Sequence, residues 1–163
     1  MVMNERYVGG AKKLQQRIAT IRRNLALPAL TSEIGDLLYR RTMDRFRRMV
    51  DPDENPWKDL APATLRRKQA EGYGDAQKLV RKGFLRDSIQ KITGGISGAL
   101  FINTGAGVRI GITDPGVAEY AAVQNRGSRD GRIPARRFLG IGRLDVKSVD
   151  SFLRRKANNL GLD

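Results

Sequence analysis

Two apolar rhythms divide this chain. Leu14, Ile18, Ile21 and Leu25 recur at three- and four-residue spacings, and Leu30, Ile34, Leu37, Leu38, Phe46, Met49 and Val50 give a second, broader face. Stripes of that period belong to amphipathic helices whose apolar side must be buried. Farther along, Val108, Ile110 and Ile112 alternate with Arg109 and Gly111, the two-residue period of a half-buried strand. A chain carrying both is expected to be α+β, with N-terminal helices and a C-terminal helix packed on a small antiparallel β-sheet.

Prolines, glycines and capping residues punctuate these rhythms. Pro28 predicts a boundary or kink near Leu27, with Thr31 or Ser32 able to cap the second helix and Asp51-Pro52 ending it. Ala63 to Ala70 suits a short basic helix, and Glu71 to Asp75 an exposed, mobile loop. Lys78 to Ile89 reads as a helical turn leading into a strand that begins within Ser88–Ile92, with Gly94-Gly95 as a turn. Further strands are expected over Ala99–Asn103 and Gly107–Ile112, joined by a hairpin-like turn at Thr104–Gly107. Asp114 and Pro115 open a helix reaching Asn125, Gly127–Arg132 forms a flexible basic loop, and Ile133–Ile141 is extended. A last helix covers about Asp145–Asn158, turning Val146, Val149, Phe152 and Leu153 to the core. No repeat or linker interrupts the pattern. A single domain over residues 1–163 is expected, with residues 1–28 as an N-terminal helix that can project.

Composition narrows the chemistry. The chain has 163 residues, 40 % of them apolar, enough for one core. No apolar run reaches the roughly 20 residues of a membrane span, and the first residues lack the pattern of a secretory signal. Synthesis and retention in the cytoplasm until assembly are expected. Cysteine and histidine are both absent, which removes disulfides, thiolate chemistry and the commonest neutral-pH base and transition-metal ligand. Asp51, Asp53 and Glu54 are the densest acidic group, but the spacing is not that of a calcium loop. Gly105-Ala106-Gly107 precedes strand character where a dinucleotide fingerprint requires an opening helix. No enzyme, cofactor or metal is expected.

Charge is the strongest remaining signal. The net charge is +14, from 31 Lys and Arg against 17 Asp and Glu. Such an excess speaks of partners: nucleic acid, an acidic protein surface, or plain solvation. Arginines gather at Arg40–Arg48, between Arg126 and Arg137, and at Arg154-Arg155. Aromatic content of 6 % gives little support to a base-stacking surface, so a basic nucleic-acid-binding protein is the alternative reading. The candidate interface residues are Trp57, Tyr120, Arg126, Arg129, Arg132, Arg136, Arg137 and Phe138. Trp57 also suits a packing anchor, and Phe138 reads equally as a core residue or an intersubunit anchor.

Four segments resemble a known family in order. Asn55-Pro56-Trp57-Lys58-Asp59-Leu60 with Thr64-Leu65 and Lys68 comes first. Leu79 and Gly83-Phe84-Leu85-Arg86-Asp87-Ser88-Ile89 follow, and then Tyr120-Ala121-Ala122-Val123-Gln124-Asn125-Arg126-Gly127. Ile133-Pro134-Ala135-Arg136-Arg137-Phe138-Leu139-Gly140-Ile141 is the fourth and most specific. Together they are similar to the phage virion morphogenesis or tail-completion family, the neck proteins of Mu-like tailed phages. The glycine-rich run from Gly72 to Gln77 departs from it. The resemblance implies a structural protein of the neck or head-proximal tail end, acting in tail completion and head–tail joining. It further implies a homo-oligomeric ring, hexameric in related proteins, around the DNA channel. The implied partners are tail terminator or tube proteins and head connector proteins, with non-specific contact to DNA and none to membrane. No catalytic residues come with the family.

Overall fold

The computed structural model describes residues 27–74, 77–93, 100–103 and 107–159. The expected first helix and the turns at Gly94-Gly95 and Thr104–Ala106 lie outside them. Helix α1 spans Leu27–Arg48, so Pro28 sits in a first turn, where a missing N–H costs nothing. Thr31 and Ser32 lie inside the helix rather than capping it. Leu30, Ile34, Leu38 and Phe46 face inward at near-four-residue spacing, and Thr42 on the same face donates to the Leu38 carbonyl at 2.9 Å. Met49, at φ 55°, then turns the chain out of the helix. The Asp51 carboxylate accepts from the Asp53 and Asn55 amides at 2.8 and 2.9 Å, closing the loop before Trp57.

Three short strands follow: β1 Gln90–Thr93, β2 Leu100–Asn103 and β3 Val108–Ile112. They form one antiparallel sheet in the order β1-β3-β2, with Gln90 opposite Gly111 and Leu100 opposite Ile112. Val108, Ile110 and Ile112 of the central strand are fully buried. α1 lies close over this sheet at Gly35. A Cβ there would stand 2.6 Å from Val108 Cγ2 and 2.8 Å from Lys91 Cδ, so only glycine permits the approach. Lys91 reaches back to Asp36 at 2.6 Å and to Ser32 at 3.1 Å.

The remaining helices are α2 Pro62–Ala70, the one-turn α3 Phe84–Asp87, α4 Pro115–Arg126 and α5 Arg143–Asn159. The Asp114 carboxylate caps α4 by accepting from Gly116 and Val117. Ala118 and Ala121, small and fully buried, let α4 sit close to the sheet. On α5, Val149 and Leu153 are buried, while Val146 and Phe152 are half-buried. Helix α5 packs on α1, with Lys156 donating to Glu33 at 2.8 Å. The α+β arrangement is the one expected. No described helix is long and apolar enough to cross a membrane.

Candidate interaction surface

The segment from Ile133 to Gly142 has no regular structure, yet side chains from several elements fasten it. Pro134 stiffens its start, and no described strand pairs with it. Side chains from several elements therefore take up its polar groups. The Asn125 side-chain oxygen accepts from the Phe138 and Leu139 amides at 2.9 and 3.0 Å. Trp57 Nε1 donates to the Arg137 carbonyl at 2.9 Å. Arg45 donates to the carbonyls of Phe138 and Gly140 at 3.1 and 3.0 Å. The Phe138 ring lies 5.3 Å from Phe46, which meets Trp57 edge-on at 5.4 Å.

A buried carboxylate anchors this arrangement to two helices. Asp145 is fully buried; it bonds to Arg45 and, at 2.5 Å, to Arg41. It also accepts from the Gly142 amide at 2.7 Å, closing the start of α5. Burial lowers the pKa of the Arg45 guanidinium, and Asp145 opposes that shift. Desolvation of each charge is thus offset by its partner and by further hydrogen bonds, the condition under which buried ion pairs persist. Gly142 also presses against the acidic loop: a Cβ there would fall 1.7 Å from the Pro52 carbonyl oxygen.

These contacts divide the eight candidate interface residues. Phe138, Trp57 and Arg136 are 0 %, 3 % and 5 % exposed. Phe138 is a core residue, and Trp57 is the packing anchor beside it. The Arg136 guanidinium is turned inward to the Lys58 and Asp59 carbonyls at 2.8 and 2.7 Å, and burial lowers its pKa. These three hold the surface from beneath and do not present it. Arg126, Arg129, Arg132 and Arg137 are exposed, and Tyr120 is half-exposed.

The loop carrying Arg129 and Arg132 was expected to be flexible; it is instead a closed turn. The Ser128 amide donates to the Ile133 carbonyl at 2.9 Å, and the Ser128 hydroxyl accepts from the Ile133 amide at 2.8 Å and donates to Asp130 at 2.6 Å. That hydroxyl holds the Asp130 carboxyl below its usual pKa. Gly127, at φ 85°, starts the turn where a Cβ would crowd the Ala135 amide at 3.0 Å.

A family model described as phage virion morphogenesis matches residues 10–157. The chain belongs to the phage virion morphogenesis family. No curated protein and no solved structure matches it. This virion morphogenesis protein thus has a structural and assembly role in the phage particle. Among its described residues, no group of carboxylates is placed to hold a metal ion.

The virion morphogenesis protein also has a groove that the sequence pattern did not reveal. It lies between α2, α3, α4 and the start of the fastened segment, with a volume of about 750 Å³. Phe84, 71 % exposed, and Tyr120, 50 % exposed, line it. Burial of its remaining surface raises the Tyr120 phenol pKa above the ordinary 10.0. Beneath the groove, Lys68 is buried and donates to the Gln77 and Val80 carbonyls, both at 3.3 Å. Phe84 stands among Lys82, Arg86 and Asp87. A lone aromatic ring in a charged stretch was the one sequence signal that could have marked this place.

Proposed function

We propose that the protein acts at the neck or head-proximal end of the tail, in tail completion and head–tail joining, as a homo-oligomeric ring around the DNA channel. Six copies would complete it. Its neighbours would be tail terminator or tube proteins on one side and head connector proteins on the other. The observation that carries this reading is the exposed arginine edge, Arg126, Arg129, Arg132 and Arg137, mounted on a turn and segment that are fastened from within. Rigid presentation lowers the ordering cost of docking, and arginine is favoured at protein interfaces for its planar two-pronged hydrogen bonding.

Imaging the neck of intact particles tests this directly. Density for this chain in a closed ring at the tail's head-proximal end is the expected result; its absence from neck and tail at every assembly stage would remove the proposal. Replacing Arg129 and Arg132 with glutamate, both exposed, should leave the fold intact and yield heads and tails that fail to join. Normal infectious particles would show that this edge is not the docking surface. The +14 charge also favours loose contact with DNA in the channel. Filter binding across a salt series should give weak retention that disappears at moderate salt, whereas tight retention at high salt would favour a dedicated nucleic-acid binder.

A further inference from the structure

We propose that the groove between α2, α3 and α4 receives an acidic segment of a partner virion protein, held by apolar side chains on Phe84 and Tyr120. The inference does not depend on where in the particle the chain sits. It begins with sign. Arg67, Lys68, Arg81, Lys82, Arg132 and Arg136 line the groove, and among the described residues no carboxylate does. Two of these cations have an acid outside the lining: Arg81 pairs with Glu71, and Arg132 with Asp130 at 3.3 Å. Arg67 and Lys82 have no carboxylate partner among the described residues, and complementary charge is what steers and registers a partner.

The floor decides the class of partner. Phe84 turns most of its surface to solvent, and solvated aromatic rings beside a groove are what interface anchors occupy. A nucleic-acid duplex, met through its phosphates, would gain nothing from that floor. Lys68 and Arg136 also direct hydrogen bonds at backbone carbonyls beneath the groove, which leaves the rim cations to meet a ligand. A second copy of the chain carries the same excess positive charge. An acidic stretch with apolar residues on one face, as a helix or an extended strand, satisfies both wall and floor.

The test uses the full chain and three labelled probes. One is a short peptide alternating glutamate with leucine at helical spacing; the second has lysine for glutamate, and the third has serine for leucine. Fluorescence anisotropy should show saturable binding of the first, at least tenfold tighter than either control. Amide shifts should map to α2, α3 and α4. Phe84→Ser, and separately Arg67→Glu with Lys82→Glu, should each weaken binding about tenfold while the thermal melt stays unchanged, since all three positions are exposed. Absence of saturable binding up to millimolar peptide would overturn the proposal. So would equal affinity for the serine control, which would mark a merely charged surface. A single-stranded oligonucleotide that binds more tightly than the first peptide, and is weakened by Phe84→Ser, would assign the groove to nucleic acid instead.

Discussion

The fastened segment and the groove are built from the same residue types, used in opposite ways. Around residues 133–142, arginines and aromatics turn inward: Arg45 meets Asp145 and two carbonyls, and Phe138, Phe46 and Trp57 fill one another's gaps. In the groove beside it, Phe84 faces water and the lining holds cations and, among the described residues, no carboxylate. The difference teaches how a strongly basic chain folds. Cations whose desolvation is matched by buried carboxylate or carbonyl acceptors serve as fasteners, and the others stay at the surface, where a partner can reach them.

That contrast is easiest to break at the buried carboxylate. Asp145→Ala should leave Arg45 charged and buried, at a cost of about 3–5 kcal/mol, and Phe138→Ala should cost a comparable amount, about 3–5 kcal/mol, by opening the core beneath the segment. Urea or thermal unfolding measures both; a loss below about 1 kcal/mol for Asp145→Ala would mean that the pair behaves like a surface ion pair. Gly142→Ala comes next. Its new methyl has no room beside the Pro52 carbonyl, and a loss of about 1–3 kcal/mol or more is expected.

Lys68 sharpens the comparison from beneath the groove. Burial lowers its pKa below the ordinary 10.5. Between the folded value and 10.5 the unfolded chain therefore holds more protons, and the stability contributed at this site rises with pH across that window. Urea midpoints measured through that window should climb more steeply for the wild type than for Lys68→Met. Parallel curves would show that the ammonium is not desolvated. The smallest effect belongs to the groove floor: Phe84→Ser should change stability by no more than about 0.5 kcal/mol, and a larger loss would place Phe84 in the core.

Much of the fold was legible because its signals are local. The 30–34–38 spacing marked α1, the 108–110–112 alternation marked β3, and Asp114-Pro115 marked the start of α4, each through contacts between near neighbours in sequence. The flexible loop expected over Gly127–Arg132 is a closed turn instead, because Ser128 and Asp130 supply hydrogen bonds that charge and glycine content do not advertise. The interface candidates were chosen by residue type, and residue type does not say which way a side chain points. Arg132 and Arg136 are alike in sequence context, yet one is solvated and the other is turned to carbonyls 77 and 78 residues away.

By itself, then, the sequence determined the helices and strands, the single sign of the charge, and membership in a virion assembly family through ordered motifs. Only the tertiary structure decided which arginines are fasteners and which are exposed. Asp145 lies 100 residues from Arg45 in the chain, and whether a cation has a partner depends on distances that folding creates. Solvation follows those distances, so the division between core and surface is a property of the packed chain.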